Sequence, residues 1–515
     1  MGDPFSRLFD ALLTGWVPSL VPYRILLRMP TRWLDLAVIA LYLLGITWFG
    51  ARFRSSQKSL KDYFLGGKQA PWWAIALSIV SAETSTLTVI GTPALSFTGN
   101  FGFLQVVFGY LLARIVISTI FLPAYFRGEM YTAYELMSVR FGPRIRKLTA
   151  GTFLILRALA EGVRVFAISI VISIVLGTGE MTSIVVIMIL TLIYTYEGGM
   201  TAVIWTDVVQ MILYVLGAGA SLYALLQLIP GGWEHVVATA GPLNKFQIFD
   251  FRLGPPAEFF SRTYSFWGGV IGGTFLTTAS HGTEQLIVQR LLAAPTERQS
   301  RAALFASWGV ICVQFTLFLI VGVCLFTLYQ DHGWQRPSVT DSIYPRFIWE
   351  QLPVGVAGLV TAAILAAAMS NLSAALNSLA STTVMDIWRP FLGGKAPVSE
   401  DTWLVRARAA TIAWGVILLG VALLARNWGG VLEAGLGIAS IIYGSLLGVF
   451  LLGLLTRRAN ETGAMIGMSA GLAVTLYVRF FTHIAWTWYL LLGTAVTFLV
   501  GWVSSRRDHS LPEKR

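Results

Sequence analysis

From residue 33 onward the chain alternates long apolar runs with short polar punctuation. About 18 consecutive apolar residues cross a bilayer as one helix. Thirteen spans are expected on that basis, at 33–53, 71–97, 102–125, 149–176, 181–198, 202–229, 263–288, 304–328, 354–386, 404–425, 430–455, 462–481 and 484–505. Three of them carry polar residues where lipid-facing helices carry none: "SIVSAETSTLTVIGTPA" (78–94), "GGTFLTTASHGTEQ" (272–285) and "AAAMSNLSAALNS" (366–378). Serine and threonine divert backbone hydrogen bonds, so a cluster of them predicts a helix that unwinds. Unwound backbone at membrane depth is tolerated where it lines a cavity or holds an ion. A single serine would be read as glue between helices. The cluster of hydroxyls around Glu83 is read as a site.

The two interrupted helices fall at matching places. Spans 71–229 and 263–455 form two groups of five, each opening with one interrupted helix. Five is odd, so the groups lie in opposite orientations, and such a pairing is the sequence pointer to a transporter binding site. The expected organisation is an N-terminal extracytoplasmic or interfacial segment (1–32), an extra span (33–53), the two repeats, two C-terminal spans (462–505) and a tail (506–515). No hydrophilic stretch is long enough for a soluble domain, and no phosphate-cradling G-x-x-x-x-G-K-[ST] loop occurs.

Composition agrees with a membrane protein: 56% apolar, 12% charged, mean hydropathy +0.69. The net charge of +11 reflects topology, not a nucleic-acid partner. With the first span starting outside, most Lys and Arg fall in inward loops, including Arg52, Arg54, Lys58, Lys61, Arg140, Arg144, Arg146, Lys147, Arg506 and Arg507. The positive-inside rule then sets the N-terminus out and the C-terminus cytoplasmic, in a plasma (inner) membrane. Arg7, Arg24, Arg28 and Arg32 conflict with this; an interfacial helix or a start at Met29 would each resolve the conflict. Cys312 and Cys324 share one span and are read as inert small hydrophobes.

Ala367, Ser370 and Asn371 share one helical face, and with Ser373 they lie on a stripe of small residues. Close helix packing explains part of that stripe. Ser370 and Asn371 also offer successive side-chain oxygens above the Ala367 carbonyl. Two carbonyls freed by an unwound helix would complete five neutral oxygens, a set suited to sodium.

With "KSLKDYFLGGK" (58–68), "AYELMSVRFG" (133–142), "GGMTAVIWTDVVQ" (198–210), "EQLIVQRLLAA" (284–294) and "GVFLLGLLTRRANETGA" (448–464), these motifs in order resemble the sodium/solute symporter family, whose cotransporters carry glucose, proline, sialic acid, iodide and monocarboxylates. The resemblance covers residues 58 to 465. It implies an all-α integral membrane protein with the LeuT-type 5+5 inverted-repeat bundle and about 13 transmembrane helices. Carried over by motif, the main sodium site would be Ser81, Thr84, Ala367, Ser370 and Asn371. The family usually has Ser or Thr at the last of these. Some relatives hold a second ion at an Asp matching Asp207 with a serine pair; Ser373 is present here but its neighbour is Ala374, so one sodium per cycle is expected and Asp207 with Ser373 remains a candidate second cation or proton site. The substrate cavity would involve Glu83, Thr86, Leu87, Thr88, Ser280, His281, Thr283 and Glu284. His281 has no His or Cys partner at metal-ligand spacing; a solute contact and a structural donor stay open. "GTPA" (91–94) resembles the iodide, monocarboxylate and multivitamin branch, against which Glu83 and Glu284 would serve an anion poorly. Arg157, Glu161 and Arg164, at helical spacing, are read as a self-paired structural trio, and Arg114 as seeking a carboxylate across the bundle.

The expected function is secondary active transport by alternating access, with inward sodium flow driving uptake of a small polar organic solute. Neither enzyme activity nor an organic cofactor is expected; sodium, the solute and the lipid bilayer are the partners. A proton-coupled carrier using Glu83 or Asp207 and a transport-inactive sensor or scaffold remain alternatives.

Overall fold

The computed structural model describes residues 32–52, 65–127, 132–177, 200–389, 400–425 and 431–505, and a few positions between 181 and 188. The segment 1–31, most of the span expected at 181–198 and the tail 506–515 lie outside the described residues, as do the side chains of Ala367, Ser370 and Ser373. Among the described residues the chain is helical with no strand. Helices coincide with the other expected spans: α1 (Trp33–Ala51), α2 (Trp72–Glu83), α3 (Thr86–Thr98), α4 (Phe101–Phe126), α5 (Pro143–Leu176), α6 (Met200–Leu228), α7 (Phe266–Gly282), α8 (Gln285–Leu292), α9 (Glu297–Asp331), α10 (Val356–Thr382), α11 (Glu400–Ala425), α12 (Val431–Leu455), α13 (Glu461–Phe481) and α14 (Trp486–Ser504). Short helices outside the spans carry no label here.

Side-chain caps mark several helix starts, and α9 begins at one, well before the apolar run at 304. The Thr296 hydroxyl accepts from Gln299 N at 3.3 Å, Ser265 caps α7 through Gly268 N, and Asn460 caps α13 through Gly463 N at 2.8 Å. The start of α10 is capped from a distant helix. Asp35 on α1, fully buried, accepts from Gly355 N at 2.6 Å and Gly358 N at 2.7 Å. A carboxylate at a helix N-terminus satisfies orphan N–H groups and suits the local dipole. Helix α1 is thereby stapled to the helix bearing "AAAMSNLSAALNS".

Both interrupted helices break where the hydroxyl clusters predicted. α2 and α3 meet at a 64° bend; between them Thr84 (φ −84, ψ 96) and Ser85 (φ −96, ψ 175) are extended. α7 and α8 are separated by Thr283 and Glu284, with Glu284 at φ −87, ψ 127. Around these breaks backbones approach closely. A Cβ on Gly273 of α7 would lie 2.1 Å from the Val106 carbonyl oxygen of α4, and one on Gly109 of α4 would lie 2.3 Å from that of Val270. Gly322 of α9 sits likewise 2.2 Å from the Pro93 carbonyl of α3. Small residues permit this contact, which replaces the hydrophobic drive missing between helices in lipid.

Candidate functional site

The two breaks face a common cavity of about 120 Å³. Its wall draws on α2 and α3 (Glu83, Leu87, Thr88), α4 (Phe103, Tyr110), α7 and α8 (Ser280, His281, Glu284), α9 (Phe315) and α12 (Leu436, Tyr443). The two broken helices were expected there. The contribution of α5, through Arg157 and Arg164, was not.

Three carboxylates at this place each meet a guanidinium. Glu83 Oε2 is 3.2 Å from Arg114 Nη2 and 3.2 Å from His281 Nε2. Arg114 is fully buried and also donates through Nε to the Leu304 carbonyl at 2.9 Å, so the carboxylate expected across the bundle is Glu83. Glu284 Oε1 accepts from Arg157 Nη1 at 2.9 Å, and the Tyr443 hydroxyl donates to its other oxygen. Glu161 pairs with both Arg157 and Arg164 at 3.0 Å. The trio on α5 is therefore not self-contained: Arg157 reaches across to the second break. Local spacing along one helix concealed a partner 127 residues away. Charges at membrane depth are tolerated when paired in this way.

The remaining expected solute residues separate into two positions. Ser280 Oγ lies 2.9 Å from His281 Nδ1, so both ring nitrogens of that histidine face polar atoms. Among the described residues no group of three or more metal-ligating side chains includes it. Thr86 instead lines a much smaller cavity of about 10 Å³ with Ser85, Glu161, Arg164 and Asn371. Thr283 is fully buried; its hydroxyl donates to the Ala279 carbonyl at 2.8 Å, closing the end of α7 rather than facing the cavity.

For the expected sodium ligands, the structure brings the first break and α10 together. Asn371, buried, has Nδ2 3.4 Å from the Thr84 carbonyl oxygen. The Ala367 and Ser370 backbones occupy the same stretch of α10. The Ser81 hydroxyl is buried near the break, beside the Tyr214 hydroxyl. Asp207 is elsewhere. Its Oδ2 accepts from Arg290 Nη2 at 2.9 Å and from Ser78 Oγ at 2.6 Å, and Arg290 Nε donates to Ser78 Oγ at 2.9 Å. A guanidinium thus stands beside the carboxylate considered for a second cation.

Two broken helices enclosing a common cavity, with a third helix packed on the first break, define a secondary transporter of the LeuT type. The chain matches the sodium:solute symporter family over residues 63–471, and it belongs to that family. It is 31% identical to the human sodium/iodide cotransporter over 86% of this chain and 69% of the relative. To the Xenopus laevis sodium-coupled monocarboxylate transporter 1 it is 29% identical, over 86% of this chain and 71% of that one. The sodium/sialic acid symporter SiaT of Proteus mirabilis is 26% identical over 92% and 95%. A solved substrate-bound, outward-open Na+-coupled sialic acid symporter superposes with a TM-score of 0.81 at 25% identity, covering 92% of this chain and 97% of that one. Mhp1, a nucleobase-cation-symport transporter, shares the fold, at TM-score 0.56 and 11% identity over 85% and 92%. The protein is a multi-pass membrane symporter that couples sodium to a small-molecule solute.

Proposed function

We propose that the solute is a small organic anion of the carboxylate class, imported with one sodium ion per cycle. The observation that carries this reading is the pairing around the cavity: Glu83 with Arg114, Glu284 with Arg157, Glu161 with Arg164. The acidic residues that seemed to disfavour an anion are each neutralised, so the wall carries no net negative charge. A sodium ion held by Thr84, Ala367, Ser370, Asn371 and the Ser81 carbonyl would add one positive charge beside it. A monoanion restores neutrality, which in low dielectric decides between solutes. The relatives' printed solutes, iodide, monocarboxylate and sialic acid, support the same sign. Asp207, engaged by Arg290 and Ser78, supports a single sodium. The solute would lie against Thr88, Ser280, His281 and Arg164. The protein would act by transport and not by covalent chemistry, in a plasma membrane, with its N-terminus outside.

Alternating access follows from the two breaks. Sodium bridging the first break to α10 stabilises one arrangement of α2 and α3, and the solute binds the cavity so completed; each tightens the other by the same factor. The test is uptake into proteoliposomes under an inward sodium gradient, with labelled pyruvate, acetate, glucose and proline as probes and potassium as the control ion. Sodium-driven accumulation of a monocarboxylate is expected. Accumulation of glucose or proline with neither acid transported would overturn the reading.

A further inference from the structure

We propose that Gln314, on α9, is a positioning residue for sodium: it holds Thr84 so that its carbonyl faces α10, and it ties that carbonyl to the wall of the solute cavity. The inference rests on the proposed role of Thr84 as a sodium ligand and goes beyond it by naming what orients the ligand.

Thr84 occupies the break, where no helical hydrogen bond fixes its carbonyl. Its backbone N–H still donates to Val80 O at 2.7 Å, ending α2, while its carbonyl faces Asn371. Asn371 Nδ2 donates to that carbonyl from α10 at 3.4 Å, and the Thr84 side chain is a second control on the peptide plane. Thr84 Oγ1 donates to Gln314 Oε1 at 3.0 Å, a bond between residues 230 apart in sequence. Thr84 is fully buried and Gln314 is 1% exposed, so water does not compete for the bond. A β-branched side chain has few χ1 wells. Fixing its hydroxyl therefore restricts the backbone that carries the carbonyl.

The same turn of α9 touches the solute cavity. Phe315, next to Gln314, lines the cavity and packs on Phe103 of its wall with ring centroids 5.0 Å apart. Consecutive residues on a helix project about 100° apart, so one turn presents a ring to the cavity and an amide to the break. The amide is also held on one side. Gln314 Nε2 is buried with no hydrogen-bond partner among the described residues, and the Tyr214 hydroxyl lies beside those of Ser81 and Thr84. A displacement of α9 carries Gln314 with it, and Thr84 would follow through their shared bond. General helix gluing by polar groups predicts something different: loss of the bond would lower stability without altering sodium recognition.

The test uses sodium itself and the purified full-length protein. Melting temperature is titrated with sodium chloride at constant ionic strength, potassium replacing sodium, for the wild type, Thr84→Val, Thr84→Ser, Gln314→Leu and the Thr84→Val/Gln314→Leu pair. Half-saturating sodium is expected to rise about tenfold in Thr84→Val and in Gln314→Leu, within the range usual for coupled sites. It should stay near the wild-type value in Thr84→Ser, which keeps the hydroxyl, and rise no further in the double variant. Phe315→Ala should raise it in the wild-type background and not in Gln314→Leu. Wild-type midpoints in Thr84→Val, or an additive double variant, overturn the inference. Thr84→Val is nearly isosteric, so the test stands if Gln314→Leu does not fold. Ser370→Ala separates the two levels. If it abolishes the sodium response while Thr84→Val leaves it intact, the sodium site stands and the positioning role fails; if the wild type shows no sodium response, both fail.

Discussion

The Asp207–Arg290–Ser78 cluster offers a quantitative test of how α2, α6 and α8 are held together. Asp207 is fully buried and Arg290 is 2% exposed. At 2.9 Å and an effective dielectric of about 20, the Coulomb attraction of such a pair is roughly 6 kcal/mol. Removing both ions from water offsets much of this, so the pair as a whole contributes little net stability. Losing one partner is another matter. Asp207→Asn keeps the shape and the Ser78 contact but leaves the guanidinium buried without its counter-charge, at a cost of about 3–5 kcal/mol. Asp207→Leu with Arg290→Met removes both charges and should cost about 1–2 kcal/mol, less than either charge-leaving single change. The assay is reversible unfolding in mixed detergent micelles, read as a double-mutant cycle. With Asp207→Leu and Arg290→Met as the singles, each at about 3–5 kcal/mol, and the double at about 1–2 kcal/mol, a coupling of about 4 kcal/mol or more is expected. If Asp207→Asn costs under about 1 kcal/mol, or the double variant costs the sum of the singles, the cluster is not the buried ion pair described.

Three further outcomes are expected. Gly273→Ala, whose Cβ would meet the Val106 carbonyl at 2.1 Å, should destabilise by about 1–3 kcal/mol or more, whereas Gly309→Ala, with no atom within 4 Å of its new methyl, should be neutral or stabilising by up to about 1 kcal/mol; unfolding of both variants decides. Lys245, whose ammonium donates to the Phe97 carbonyl at 2.6 Å, titrates at about 8 because burial, and then Arg336, disfavour its charge. Its folded pKa lies below the unfolded one, so the unfolded chain binds more protons between about pH 8 and 10.5 and this residue makes stability rise with pH there; Lys245→Met should flatten that slope in a pH series of melting curves. Uptake of a monocarboxylate with one sodium should be electroneutral, so a potassium diffusion potential imposed with valinomycin should leave the initial rate unchanged; a rate that tracks the potential argues for a second cation.

Much of this architecture was legible in the chain, and the reason is chemical. Lipid punishes unpaired polar groups, so "SAETSTLT" and "TTASHGTEQ" could persist only at breaks, and breaks are what Thr84–Ser85 and Thr283–Glu284 form. Ion-pair partners were less legible. Arg157 looked satisfied by Glu161 four residues on, while Glu284 lay far along the chain. Nothing local distinguished Arg290, within "EQLIVQRLLAA", from the basic loop residues that follow it. Gln314 did leave a trace: an uncharged amide alone in an apolar span asks for a partner. Its identity, Thr84, required the fold.

The glycine seams have a mechanical consequence. Where Gly273 and Gly109 join α7 to α4, main chain rests on main chain. Such a joint has no rotamers to change, so it can neither creep nor settle at intermediate positions. Close-packed contacts transmit displacement whole. The pieces flanking the solute behave as rigid plates, leaving compliance to the two short breaks, each only two residues long. Motion about two narrow pins between rigid plates is stepwise, which disfavours a pose open on both sides at once. The least bulky residues in the chain would then be what keeps the sodium gradient from leaking.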